Sequence, residues 1–168
     1  MTQEDKELLL KDLCARLPYG IKAQIKYYDV ACELLAISTN GTTYATTYGD
    51  MECLIETFVE DCKPYLFPLS SMTEEQCEKF KIISGWDGEW EDIKRGKFSC
   101  IGYIGLDYIY DTIDWLNKNH FDYRGLIEKG LAIDCTNLNI YWIMEKDKCE
   151  YCAFKEFCTG GSGCTELD

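Results

Sequence analysis

Four cysteines close the chain at spacings that suit one metal centre: Cys149, Cys152, Cys158 and Cys164 are separated by two, five and five residues. The short gap lets the first two thiolates turn toward one ion. Gly160, Gly161 and Gly163 permit the tight reversal that brings Cys164 back to it. Four thiolates around a point fit tetrahedral zinc or an iron–sulfur cluster, and the donor set leaves that choice open. A redox dithiol is a weaker reading, because such a pair opens a helix after a strand, whereas Cys149 follows the charged run Glu145-Lys146-Asp147-Lys148.

Two partial resemblances attach to this tail. Zinc ribbons place roughly 15–20 residues between their cysteine pairs, so the compact spacing is closer to a zinc knuckle, with longer gaps and Cys158 standing where a knuckle has histidine. The stretch from Cys149 to Cys158 also resembles the Cys-x2-Cys-x5-Cys run of iron–sulfur segments in RecB-like nucleases and radical-enzyme accessory domains. No matching nuclease acid-x-lysine site accompanies it. A knuckle that stacked bases would use Tyr151, Phe154 and Phe157, with Lys146, Lys148 and Lys155 set against Glu145, Asp147, Glu150 and Glu156.

Other chemistry-bearing residues are sparse. Trp86 and Trp90 sit among Asp87, Glu89, Glu91 and Asp92, a loop that suits recognition of a protein partner and equally suits a lid over the core. His120 is the single histidine, so any triad would have to use it, and its place between a helix end and Asp122 reads as structural. Asp107, Asp111 and Asp114 recur at helical spacing and read as a solvated face. The chain holds no Gly-x-Ser-x-Gly, phosphate loop or dinucleotide fingerprint.

The elements that must position these residues are legible in part. Residues 2–17 read as an amphipathic helix, capped by Thr2 with Asp5 and striped by Leu9, Leu10, Leu13, Cys14 and Leu17. Alternation over 21–29 and 31–38, then Asn40-Gly41 and the Thr- and Tyr-rich 42–48, marks strands around a hairpin turn. Residues 51–59 read as a further strand, with a helix as the alternative. Lys63-Pro64-Tyr65-Leu66-Phe67-Pro68 is extended and bounded by proline. Thr73 and Gln76 open a helix to about 83, and 84–96 reads as a polar loop. Leu106, Ile109, Ile113 and Leu116 mark a helix over 106–117. Asp122 is placed to cap a helix over 123–129, and 131–135 with 139–144 reads as a terminal hairpin.

Strands first and helices later predict an α+β fold, an N-terminal helix packed on a small antiparallel sheet. The core domain is expected over 1–144 and the cysteine tail over 145–168. The chain of 168 residues carries 17 basic and 30 acidic side chains, a net charge of -13. That charge disfavours nucleic acid and anionic membrane as partners; it reads first as keeping the protein soluble, with a basic protein partner as the other reading. Acidic first residues without an apolar block lead to the expectation of a cytoplasmic protein. The cysteines at 14, 32, 53, 62, 77, 100 and 135 read as small core hydrophobes in a reducing compartment.

Leu13-Cys14-Ala15-Arg16-Leu17-Pro18-Tyr19-Gly20, Lys63-Pro64-Tyr65-Leu66 running into Pro68-Leu69-Ser70-Ser71-Met72-Thr73-Glu74-Glu75, Asp114-Trp115-Leu116-Asn117 and Phe121-Asp122-Tyr123-Arg124-Gly125-Leu126-Ile127 together resemble a family of short uncharacterised proteins of Bacteroidales phages and mobile elements. The likeness runs over roughly 8–140 and leaves the tail outside. It implies a phage or prophage accessory protein of an anaerobic gut bacterium, and no particular activity. The expected function is therefore protein–protein binding without catalysis, with zinc or iron–sulfur held by the tail. An iron–sulfur enzyme or nuclease-related protein is the first alternative, and a zinc-knuckle binder of single-stranded nucleic acid the second.

Overall fold

The computed structural model describes residues 1–28, 30–38, 40–47, 54–96, 106–138 and 140. Helix α1 spans Gln3–Arg16, and the Thr2–Asp5 capping box forms as expected. Its buried stripe is rotated from the expected one. Leu9, Asp12, Leu13 and Arg16 face inward, while Cys14 is exposed and Leu10 only half-buried.

After a 3-10 turn at Leu17–Tyr19 come β1 (Lys22–Ile25), β2 (Ala31–Ile37), β3 (Thr42–Thr47), β4 (Leu54–Phe58) and, beyond a second 3-10 turn at Val59–Asp61, β5 (Cys62–Pro68). These five strands are antiparallel neighbours in the order β4-β3-β2-β1-β5. Laid flat, four interstrand steps would hold β4 and β5 about 19 Å apart. The four Cα steps from Phe58 to Cys62 reach at most about 14 Å. The sheet must therefore curl. Its turn at Val59–Asp61 touches both flanks: Val59 N donates to Gly41 O at 3.0 Å, and Lys26 N to Asp61 O at 2.9 Å. A bulge at Leu34–Ala36 in β2 adds to the bend.

The curl wraps α1. Leu9 and Leu13 pack against Ile21, Ala23, Ile25, Cys32, Leu34, Ala45, Ile55, Val59, Cys62 and Leu66 in the first core cluster. Burial of this apolar surface is the main force holding helix to sheet.

A second cluster lies beyond β5. Helix α2 (Glu74–Ser84), opened by the Thr73–Gln76 capping box and closed by Gly85 at φ 64°, packs with α3 (Trp90–Lys94) and α4 (Leu106–Lys118). Phe80, Ile93, Trp115, Leu116 and Phe121 fill it, with the Trp115 and Phe121 rings stacked 5.6 Å apart. The buried face of α4 runs through Thr112, Trp115 and Leu116, and Ile113, expected inside, is exposed.

The sheet expected to be small and antiparallel is larger, and the proline-bounded stretch 63–68, read only as extended, is its junction. β6 (Phe121–Asp122) and β7 (Ile133–Asp134) both pair parallel with β5, at Phe67↔Phe121 and Tyr65↔Ile133, so the sheet is mixed. The expected helix over 123–129 is a run of turns. Asp122 does cap backbone amides, accepting from Leu126 N at 2.9 Å and Ile127 N at 2.8 Å, but Gly125 at φ 71° and Gly130 at φ 70° turn the chain aside. Of the expected hairpin, the first strand pairs with β5 through Ile133–Asp134, and the second lies outside the described residues apart from Ile140. No helix among the described residues is long and apolar enough to cross a membrane.

Candidate functional site

Cys149, Cys152, Cys158 and Cys164 lie outside the described residues, as do Cys53 and Cys100. Of the others, Cys32, Cys62, Cys77 and Cys135 are buried free thiols. Burial pushes Cys62 and Cys135 up to about 12, which makes them inert core residues at neutral pH. Among the described residues no cluster of His, Cys, Asp and Glu is arranged to hold a metal.

The Trp–acid segment is more ordered than a polar loop. Trp86 and Trp90 are half-buried and pack against the second core cluster beside Phe67, Ile83 and Tyr123. The Trp86 indole folds back over Gly88, where an added Cβ would collide with the ring. Trp90 opens α3, whose Ile93 is fully buried, and Lys94 Nζ lies 4.5 Å from the Trp90 ring centroid. Glu89 and Glu91 are exposed and Asp92 is half-buried. Both indoles thus cover the core, while Glu89 and Glu91 face water.

A buried charge network joins the two clusters. Arg16 and Asp12 have no exposed side-chain surface, with Arg16 Nε 2.8 Å from Asp12 Oδ2. Arg16 Nη2 also donates to Asp12 Oδ1 at 3.1 Å and to Phe121 O at 2.8 Å, tying α1 to β6. Arg16 Nη1 lies 3.5 Å from Leu116 O, near the C-terminal end of α4, where a cation meets the helix dipole favourably. Arg124 Nε is 3.2 Å from Asp12 Oδ1. Its N–H is not aimed at that oxygen, so this second contact is an ion pair and not a directed hydrogen bond.

The Tyr123 ring lies 5.3 Å from the Arg16 guanidinium and 4.9 Å from that of Arg124. Tyr123 OH donates to Asn117 Oδ1 at 3.0 Å. His120 is buried beside this network at φ 55°. Burial, with the Arg16 and Lys22 charges, pushes its imidazole down to about 3. It is held neutral. Asp111 and Asp114 are exposed, and Asp114 accepts a hydrogen bond from Tyr19 OH.

The outer face of the curled sheet carries the feature that sequence reasoning missed. On β4, Leu54 is 71% and Phe58 55% exposed, with exposed Glu56 between them. The register sets Thr46, Tyr44 and Thr42 beside these three, and Ala36 beside Tyr44. Leu35, at the β2 bulge, is 50% exposed. A strand of alternating Leu54, Glu56 and Phe58 without lysine or proline was the available signal, because natural edges are usually blunted by such residues. Among the described residues β4 pairs only with β3.

At the β1–β2 turn, Tyr27 is 88% exposed in the left-handed region at φ 72°. It helps line an open groove of about 300 Å³ with Gln24, Tyr28, Glu60, Asp61 and Lys63. Both acids there are already engaged, Asp61 with Lys26 at 3.5 Å and Glu60 with Lys6 at 2.9 Å.

Set against protein-family models, curated proteins and solved structures, the chain matches none of them.

Proposed function

We propose that this chain is an accessory protein, of the phage or mobile-element kind that its sequence resembles, and that it works by binding another protein. The observation that carries this reading is the apolar outer face of the sheet. Leu35, Leu54 and Phe58 stay in water around Tyr44, where a monomer gains nothing by displaying them and a partner gains by covering them. The acid excess fits a basic partner. Glu89, Glu91 and Asp92, ranged beside the Trp86–Trp90 lid, offer a second acidic contact. The tail, with Cys149, Cys152, Cys158 and Cys164, is read as a structural metal holder for zinc or iron–sulfur on the strength of its spacing.

The test is affinity capture with the full-length chain from a gut-anaerobe lysate, run beside a Leu54→Ser/Phe58→Ser variant. A stoichiometric partner held by the native chain and lost by the variant is the expected result. Equal recovery by both, or none by either, would sink the reading.

A further inference from the structure

Resting on that reading, we infer that β4 captures an extended segment of the partner as an added antiparallel strand, and that the segment carries a basic side chain between two apolar ones. The backbone phase comes first. Val59 N donates to Gly41 O, and the register continues as Thr42↔Phe58, Thr43↔Thr57, Tyr44↔Glu56, Ala45↔Ile55. Hydrogen-bonded pairs alternate with non-hydrogen-bonded ones in an antiparallel ladder. Ile55 and Thr57 therefore turn their amides and carbonyls toward β3. Those of Leu54 and Glu56, with the Phe58 amide, point away from it, a row of donors and acceptors of the kind that templates strand addition, while Phe58 O already accepts from Cys62 Sγ at 3.4 Å.

Side chains then set the chemistry of the guest. Leu54, Glu56 and Phe58 share the outer face, so residues directly opposite them lie on that face too. Leu54 and Phe58 call for apolar partners. Glu56 takes part in none of the ion pairs among the described residues, and its neighbours in the register are Tyr44 and Ala36. A lysine or arginine opposite it gains a cross-strand ion pair. A second copy of the chain in the fully overlapping register would set Glu56 against Glu56, which opposes self-pairing.

The probe is a capped seven-residue peptide with valine, lysine and valine at alternate positions and threonine elsewhere. Its controls carry glutamate for the lysine, or N-methyl groups on the valine and lysine amides. Each is titrated to about 1 mM into the full-length protein at low salt, read by amide chemical shifts and hydrogen exchange. The lysine peptide is expected to shift and protect the Leu54, Glu56 and Phe58 amides, and the N-methyl peptide to do neither.

Glu56→Gln, an exposed substitution whose native spectrum checks folding, should weaken the lysine peptide about two- to fivefold. Glu56→Lys should reverse the preference toward the glutamate peptide. Equal binding of both peptides, no binding of either, or edge amides already protected to the level of Ile55 and Thr57 would overturn the inference. So would a native dimer dissolved by Glu56→Lys. If lysate capture survives in Glu56→Lys while the peptide fails, the strand-addition inference falls and the protein-binding reading stands.

Discussion

Removing Asp12 should cost more stability than removing Arg16, although each is half of the same buried pair. Asp12 is the counter-charge for two cations, Arg16 at 2.8 Å and Arg124 at 3.2 Å. Arg16 has no exposed surface, so Asp12→Ala leaves a guanidinium with neither counter-charge nor water, a situation that costs about 3–5 kcal/mol. Arg16→Met leaves Asp12 still paired with Arg124, whose side chain is 19% exposed. Its main loss is the donor to Phe121 O at 2.8 Å, and an abandoned buried acceptor costs about 1–3 kcal/mol. The Leu116 contact at 3.5 Å adds little.

The double variant Asp12→Leu/Arg16→Met removes both charges and fills the space with apolar atoms. It should recover at least about 1 kcal/mol relative to the sum of the single changes. Urea unfolding followed by tryptophan emission measures this directly, because Trp115 sits in the second core, with the slope checked for constancy. A cost below about 1 kcal/mol for Asp12→Ala, or a larger cost for Arg16→Met, would refute the account.

Three further outcomes are expected. His120 titrates at about 6.5 unfolded and at about 3 folded. Below pH 6.5 the unfolded chain therefore gains a proton that the fold refuses, so stability falls with pH down to about 3. Between pH 7.5 and 5 the loss should approach about 2 kcal/mol. His120→Asn, which tolerates the left-handed backbone, should flatten that slope in urea titrations; an unchanged slope excludes the imidazole as its source. Gly88→Ala should drive the Trp86 indole off the core, with a red-shifted emission absent in a Trp86→Phe background and a loss of about 1–3 kcal/mol. Anaerobically purified protein should contain about one tetrahedral zinc or an iron–sulfur cluster per chain by elemental analysis and absorption. Cys149→Ser or Cys158→Ser should abolish it without shifting the urea midpoint of the core; metal-free native protein would end the metal reading.

What the sequence disclosed was whatever local chemistry decides. Both capping boxes, at Thr2–Asp5 and Thr73–Gln76, were legible because the pairing residues are three apart on the chain. The Asn40-Gly41 turn and the alternating strands were legible for the same reason. β5 was visible only as an extended stretch, since Pro64 and Pro68 discount a strand. Its importance comes from β1, β6 and β7, which reach it from 37 or more residues away.

The network at Asp12 and Arg16 stayed hidden because charged residues on a helix are ordinarily solvated. The clue was their interleaving with Leu9 and Leu13, at positions three and four apart on one stripe. The Trp86–Trp90 segment could be read either way, because half-burial against Ile83 and Phe67 is a tertiary fact. For the cysteine tail, spacing alone speaks, and the described residues end before it.

The asymmetry of the sheet's two margins has a consequence for stoichiometry. Along Tyr65–Leu66 the side of β5 turned away from β1 is already occupied by β7 from the same chain, Cys135 N donating to Leu66 O at 2.9 Å, whereas β4 pairs with β3 alone among the described residues. Closed rings and open filaments built by edge pairing require every subunit to offer two compatible margins. With the other margin covered there by its own later strand, the sheet of the described residues offers a single margin, at β4. A guest strand would saturate it at one copy, and growth would stop there.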